Sequence, residues 1–277
     1  MTAPIPTSKS AWLPITPRGV AAFAAARTGR LLLVQFFFAL IVAAAFGWFL
    51  HVAWVPPIRA AIKQLPTGTR LQGGILEWPS NSPVLLAEGH FLAFAVGLDH
   101  AGGNGSTAQV QVEFGKRDWQ LSSLLGVLDA PAWVNTTYPT NQMIALDRAE
   151  LEPWWGAREP FVIVLAMAGV VVYLMISWAL LAMIYSLAAW LVAFYANRAV
   201  DWRGSWRLAG AALMPGALMV AVAIVLYGLR AFDLLKFGLA FGMHLVVGWI
   251  YIFVSPLFLP RNPEVPPAEK NPFSSEA

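Results

Sequence analysis

The sequence predicts an α-helical membrane protein with four transmembrane helices and a small, mainly β (α+β) extracytoplasmic domain inserted between the first and second helices. Of its 277 residues, 58% are hydrophobic and only 12% are charged. Soluble globular chains carry about 25% charged residues. The chain also has 13 tryptophans, and tryptophan favours the membrane–water interface. Finally, one long segment of mixed polarity lies between charge-free runs, and this segment is predicted to be the inserted domain.

Composition also excludes several classes of function. The net charge is +3, but the basic residues are dispersed along the chain and flank apolar runs, so we expect no nucleic-acid partner. The chain has no cysteine. Disulfides, thiolate catalysis and cysteine-ligated metal sites are therefore excluded together.

Residues 1–30 are predicted to be a cytoplasmic N-terminal tail. The stretch TPRGVAAFAAARTGR is compatible with a short helix on the membrane surface or with a disordered tail. The segment is not an ordinary secretory signal peptide. The apolar stretch after Arg30 is too long for one, and no small-x-small cleavage site follows it.

The first predicted transmembrane helix covers residues 31–54, which contain no charge and exceed the roughly 20 residues that a span needs. Arg27 and Arg30 precede it, so the positive-inside tendency places the N-terminus in the cytoplasm. Pro56 and Pro57 lack amide donors, and we expect them to end the helix.

Residues 55–160 are predicted to form the extracytoplasmic domain. Gly73-Gly74 indicates a hairpin or bulge, and Trp78-Pro79 closes its second strand. One or two strands, broken near Glu88-Gly89, precede the turn cluster GGNGS at 102–106, which is expected to be a hairpin turn. Strict alternation over 108–115 predicts a half-buried strand with its valines on the inner face. A turn and a short helix are expected after Asp118.

Residues 161–196 are charge-free, too long for one span and short for two. We prefer one long helix, 161–197, over two tight spans. The third and fourth helices are predicted at 208–229, with a kink at Pro215, and at 237–259. Residues 260–277 form a disordered cytoplasmic tail. Both termini are then cytoplasmic in a bacterial inner membrane.

The sequence contains no recognisable catalytic or phosphate-binding motif. Glu88, His90, Asp99 and His100 lie close together in the sequence, and Glu88 and His90 would share one strand face. They are explained better as ordinary polar residues on the protein surface than as a metal site. We therefore predict no catalytic, cofactor-binding or metal-binding residues. Two glycosylation patterns, beginning at Asn104 and Asn135, are treated as chance matches.

Within the predicted spans there is no Asp or Glu, which disfavours a carboxylate-coupled transporter. The polar residues there include Gln35, His51, Ser177 and His244. We expect His51 to lie at the interface and His244 to form a hydrogen bond across helices. The pattern Gly238-x-x-x-Gly242 is expected to pack inside the bundle rather than to mediate dimerisation.

Two stretches resemble a known family. The first has Leu65, Pro66, Gly74 and Leu76 in an LP…G-x-L arrangement. The second is the basic–aromatic entry 202–207 followed by Pro215. With the layout of spans, these resemble uncharacterised bacterial polytopic membrane proteins near the maltodextrin-utilisation type, themselves distantly similar to Yip-like membrane proteins. The resemblance implies an architecture and no activity.

These observations favour a non-enzymatic membrane scaffold or accessory protein, whose partners are the lipid bilayer and another envelope or membrane protein. A transporter or channel component is the alternative. A membrane enzyme that uses Glu88, Asp99 or His100 is a third hypothesis, but no residue spacing supports it.

Overall fold

A computed structural model of the chain describes residues 13–80, 82–99, 107–123 and 134–262. The chain divides into two compact units. Residues 1–46 and 167–277 contribute to the first, and residues 47–166 form the second. We call them the helical unit and the sheet unit.

Within the described residues, four helices are long and apolar enough to cross a membrane. The shortest has 25 residues, or about 38 Å at 1.5 Å per residue, against a hydrocarbon core of about 30 Å. The eight strands of the described residues lie in the chain between the first and second of these helices. The bounds of the four long helices are Thr28–Lys63, Arg148–Tyr195, Trp202–Gly228 and Leu234–Phe258.

The N-terminal stretch contains the short helix that was one of the two expectations for it. Helix α1, Pro17–Ala22, begins after Thr16, whose hydroxyl accepts a hydrogen bond from the Gly19 amide. A 3-10 turn, Phe23–Ala25, follows. Val20 and Phe23 are completely buried, so this segment packs into the helical unit.

The first long helix does not end at the prolines, and that expectation was wrong. Helix α2, Thr28–Phe49, continues through a π-helical turn, Leu50–Trp54, into helix α3, Val55–Lys63. The π turn changes the hydrogen-bonding pattern just before the prolines. Pro56 and Pro57 then fall in a first turn, where a missing N–H costs little.

Helix α4, Arg148–Tyr195, is one continuous helix of 48 residues, which confirms the choice of one helix over two. It begins 13 residues before the charge-free run (161 − 148) and is about 72 Å long. Only 11% of its most apolar window is buried. Its exposed apolar side chains require a lipid or protein environment; they include Phe161, Leu165, Tyr173 and Ile184.

The third long helix is broken where Pro215 predicted a kink. Helix α5, Trp202–Ala212, ends at Leu213, and helix α6, Met214–Gly228, has Pro215 in its first turn. In this helix 67% of the most apolar window is buried. It therefore forms the centre of the helical unit.

Helix α7, Leu234–Val254, is capped by Asp233, whose carboxylate accepts from the Lys236 amide. It ends in a 3-10 turn, Ser255–Phe258. Helix α7 packs against α6 at Gly216, where an added Cβ would lie 2.7 Å from the carbonyl oxygen of His244.

The strands of the sheet unit are β1 Arg70–Gln72, β2 Ile75–Glu77, β3 Val84–Glu88, β4 Leu92–Val96, β5 Val110–Phe114, β6 Asp118–Ser123, β7 Val134–Thr137 and β8 Ile144–Ala145. They form a three-stranded sheet in the order β2-β1-β8 and a five-stranded sheet in the order β3-β4-β5-β6-β7. Helix α3 and both sheets contribute to one hydrophobic core, which includes Ala61, Leu71, Leu86, Val96 and Tyr138.

The hairpin predicted at Gly73-Gly74 is confirmed. Strands β1 and β2 pair antiparallel with Gln72 opposite Ile75. Gly73 and Gly74 have φ values of 60° and 76°, the left-handed pair that a two-residue type I′ turn needs. Strand β2 ends at Glu77, just before Trp78-Pro79.

Two expectations for this unit were wrong. Strands β4 and β5 pair in parallel, so the chain between them crosses over instead of forming a hairpin; residues 102–106 themselves lie outside the described residues. Asp118–Ser123, where a turn leading into a short helix was expected, is a strand paired antiparallel to β5; residues 124–133, which complete that expectation, lie outside the described residues.

Strand β5 also differs from the predicted alternation. Glu113, expected on the polar face, is buried, while Val110 and Val112 are half-buried. The strand is the middle one of five, paired with β4 along one edge and with β6 along the other, so burial along it does not follow a simple inside–outside alternation.

Candidate functional site

A buried carboxylate with an arginine and a histidine beside it lies in the sheet unit. The Glu159 side chain is 6% exposed. Its Oε2 accepts from Arg59 Nε at 2.8 Å, and its Oε1 accepts from Arg59 Nη2 at 2.9 Å. His51 Nδ1 lies 4.0 Å from the same Oε1. These three residues are called the carboxylate cluster.

Helical geometry positions each member of the cluster. His51 lies in the π turn, Arg59 lies two turns further along in α3, and Glu159 precedes Pro160 in α4. The two parallel hydrogen bonds give the Arg–carboxylate pair a defined orientation. The side chains of His51 and Arg59 are 61% and 56% exposed, so the cluster opens to solvent on their side.

Sequence reasoning missed this cluster. Glu159 lies just outside the charge-free run 161–196, and Arg59 lies 100 residues away in the chain. The available signal was a lone acidic residue directly before a span. The π turn that carries His51 has no recognised sequence pattern.

The sheet unit also has two adjoining hollows. The first is an apolar pocket of about 130 Å³ between α3, the hairpin and the five-stranded sheet. The second is a surface groove of about 420 Å³ beside the hairpin. Leu76 and Trp78 line both. The remaining groove residues are Thr67, Gly68, Ile75, Glu77, Pro79, Leu98 and Lys116.

The two hollows have different chemistry. The pocket is lined by apolar side chains and Thr69, so it suits an apolar group. The groove carries charges of both signs, from Glu77 and Lys116. Glu77 is fixed by Arg70, whose Nε lies 2.5 Å from its Oε2. A segment with an apolar anchor and polar flanks would match this pair of hollows.

The residues considered as metal ligands do not form a ligand set in the described part of the chain. No group of three or more His, Asp or Glu suited to a metal occurs there. Glu88 accepts from the amide and hydroxyl of Thr107, at 2.7 and 3.1 Å. His90 lies in the bend after β3, not on a strand face with Glu88 as expected. Asp99 is in a turn, and His100 lies outside the described residues.

The polar residues of the spans make local contacts. Gln35 is 1% exposed, and its Nε2 donates to the Gly210 carbonyl at 3.3 Å, in the last turn before the break at Leu213. Ser177 donates to Leu174 within its own helix. His244 Nδ1 bonds to the Phe241 carbonyl of its own helix, so the expected bond across helices was wrong.

The glycine pattern of α7 also differs from expectation. No atom lies within 4 Å of a Cβ added at Gly238 or Gly242. These glycines therefore do not pack against the described part of the bundle.

Tyr138 is a buried titratable residue of the sheet unit. Its hydroxyl donates to the Gly115 carbonyl at 3.1 Å. Burial raises the pKa of Tyr138 well above its usual range, and the nearby charge of Asp118 adds to this effect.

Fold and site together fit a multi-pass α-helical membrane protein that carries a small β-sheet unit. Comparison with known proteins finds no matching family, no similar curated protein and no similar solved structure.

Proposed function

We propose that this chain is a non-enzymatic scaffold or accessory protein of a bacterial inner membrane, which binds another membrane or envelope protein through its sheet unit. The observation that supports this proposal is the apolar pocket joined to a charged groove at Trp78. In the proposed orientation both termini are cytoplasmic and the sheet unit is extracytoplasmic.

Trp78 is the expected anchor point of the interface. It is half-buried and packs against the core beside Leu76. Tryptophan at the centre of an apolar hollow often dominates protein–protein binding energy. Glu77 and Lys116 would pair with polar groups at the edge of the partner segment and fix its direction.

The polar span residues favour this function over a transporter or channel component. A conducting path requires polar groups that face a cavity. Gln35 instead forms a hydrogen bond that joins two helices, and His244 forms a hydrogen bond within its own helix. The kink at Pro215 is packed at the centre of the helical unit.

Site-specific cross-linking in native membranes tests the proposal. A photo-reactive amino acid replaces Thr67, which is exposed in the groove. The matched control replaces Thr136, which is exposed on β7 and outside both hollows. Mass spectrometry of the adducts should identify one protein enriched at Thr67 over Thr136.

A second variant, Trp78→Ala, should abolish that adduct while the Thr67 probe remains in place. If the probes at 67 and 136 give the same spread of adducts, or only lipid adducts, the proposed protein partner is wrong.

A further inference from the structure

A cavity of about 950 Å³ lies within the helical unit. Three separate stretches of chain form its walls: the N-terminal segment around α1, the connection between α4 and α5, and the segment after α7. Its lining is mostly apolar, with alanines, Leu13, Ile15, Phe258 and Leu259. The polar and charged side chains in the lining are Thr16, Arg18, Asp201 and Arg207.

Specific contacts hold these walls together. Arg207 donates from Nε and Nη2 to the Ala24 carbonyl, at 3.2 and 2.6 Å. The Ala199 amide donates to the Pro260 carbonyl at 2.9 Å. The Tyr251 hydroxyl donates to the Ile15 carbonyl. The cavity is therefore a built feature with walls tied by hydrogen bonds.

Positive charge dominates its surroundings. Residues 13–46 and 167–262 contain only two carboxylates, those of Asp201 and Asp233. Seven arginines lie on the segments that meet at the cavity or directly beside them. They are Arg18, Arg27, Arg30, Arg198, Arg203, Arg207 and Arg261. We call this part of the helical unit the arginine end.

The charged side chains that line the cavity are those of two arginines, Arg18 and Arg207, and one aspartate, Asp201. The Arg18 guanidinium lies over the Phe258 ring, with Cζ 5.4 Å from its centroid, and the Arg18 side chain is exposed. Asp201 uses its Oδ1 to cap helix α5, accepting from the Gly204 amide at 2.8 Å. The lining therefore has a net positive charge and an apolar remainder.

An anionic phospholipid matches both properties. Its phosphate would pair with the guanidinium groups, and its glycerol and upper acyl chain would contact the alanines and leucines. Arg207 lies one residue before the apolar run 208–229, so a span formed by that run would place the cavity at the depth of lipid headgroups. We propose that this cavity binds an anionic phospholipid, with Arg18 and Arg207 holding its phosphate.

The test uses the full-length protein in nanodiscs of phosphatidylcholine, with and without a minor fraction of phosphatidylglycerol. Native mass spectrometry counts the lipids that remain bound after release from the disc. Wild-type protein should retain phosphatidylglycerol in preference to phosphatidylcholine. Arg18→Gln should lower that retention about fivefold, the effect expected for one cationic side chain near an anionic headgroup.

Two further variants separate the cavity from general surface charge. Arg203→Gln removes the same charge from an exposed residue that does not line the cavity, and it should leave retention unchanged. Ala25→Trp fills the cavity without changing the charge and should lower retention as Arg18→Gln does. Thermal unfolding of each variant confirms that the fold is intact.

Three outcomes would overturn the proposal. Arg18→Gln and Ala25→Trp could both retain phosphatidylglycerol like the wild type. Arg203→Gln could lose as much as Arg18→Gln. Inorganic phosphate alone could displace the bound lipid completely, which would make the site one for free phosphate.

Discussion

The Glu159 carboxylate is buried, whereas the Arg59 side chain that binds it is 56% exposed. Burial of a charge costs free energy that the partner recovers only with good geometry. Here the geometry is bidentate, at 2.8 and 2.9 Å. The main effect of the pair is therefore to hold α3 against the first part of α4, and its net contribution to stability is small.

This asymmetry predicts the effect of Arg59→Met. The variant leaves the Glu159 carboxylate buried without its partner, so the free energy of unfolding should fall by about 1–3 kcal/mol, less than for a fully buried pair because Arg59 is 56% exposed. Thermal unfolding of the detergent-solubilised protein measures it. The double variant Arg59→Met/Glu159→Gln should recover part of the loss.

His51→Gln is the matched control for that experiment. His51 Nδ1 lies 4.0 Å from the carboxylate, beyond a hydrogen bond, so its loss should have a much smaller effect. If the two changes in the double variant simply add, the coupling argued for Arg59 and Glu159 is absent.

Tyr138 gives a prediction about pH. Because burial, aided by Asp118, raises its pKa, the folded protein keeps a proton that the unfolded chain loses near pH 10. Stability from this group is then fully present below about pH 10 and is lost as the pH rises further. The melting temperature, followed from pH 8 to 11, should fall steeply above about pH 10.

Tyr138→Phe separates this effect from other alkaline changes. The variant should lose about 1 kcal/mol at neutral pH, since the hydrogen bond to Gly115 is gone. Its melting temperature should also depend less on pH above 10. An equally steep alkaline fall in the variant would assign the effect to other groups.

Among the elements, the β1–β2 hairpin has the sharpest local requirement. Gly73 and Gly74 both have positive φ, so alanine at either costs about 1 kcal/mol or more from backbone strain. Their surroundings differ. A Cβ at Gly73 meets nothing within 4 Å, whereas a Cβ at Gly74 would lie 2.9 Å from Thr140 Cγ2.

Gly74→Ala should therefore lower the melting temperature more than Gly73→Ala does. Both variants place a side chain at a positive φ, and only Gly74→Ala adds a clash with Thr140. Differential scanning fluorimetry of the two proteins, side by side, makes the comparison. Equal shifts would mean that Thr140 moves aside freely.

The α6–α7 contact gives a second matched pair. A Cβ at Gly216 would lie 2.7 Å from the backbone oxygen of His244, and one at Gly242 meets no atom within 4 Å. Gly216→Ala should force the helices apart and lower the melting temperature in detergent. Gly242→Ala should leave it unchanged or raise it, since alanine favours the helix. The reverse order would contradict the close approach at Gly216.

The elements that could be predicted from the sequence are those formed by interactions between residues close together in the chain. The long helix through 161–196, the break near Pro215 and the Gly73-Gly74 turn depend on local apolarity, a missing N–H and positive φ. The parallel pairing of β4 with β5 depends on a crossover between strands, which turn residues alone do not reveal. Asp118–Ser123 becomes a strand because β5 and β7 flank it.

The candidate sites were less predictable for the same reason. The Arg59–Glu159 pair joins residues 100 positions apart, and the cavity of the helical unit joins three distant stretches. Helical continuity through Pro56 and Pro57 needed the π turn before them. No spacing rule indicates which arginines share a cavity.

At the scale of the whole molecule, two properties fit a membrane setting. The exposed apolar side chains of α4 and α7 need a non-aqueous environment, since only 11% of the most apolar window of each is buried. In the described part of the chain, the arginine end has seven arginines and one carboxylate, that of Asp201. Short loops on the cytoplasmic side of a membrane protein are enriched in Lys and Arg, so this end is expected to face the cytoplasm.

Labelling of single cysteines tests the orientation, and the chain has no native cysteine to interfere. Thr136→Cys places a thiol on an exposed residue of β7, and Gly29→Cys places one on an exposed residue at the start of α2. In intact cells, a maleimide that cannot cross the inner membrane should label the first and not the second. Disrupted membranes should allow both to react, which shows that each thiol is accessible. Labelling of Gly29→Cys but not Thr136→Cys in intact cells would reverse the proposed topology.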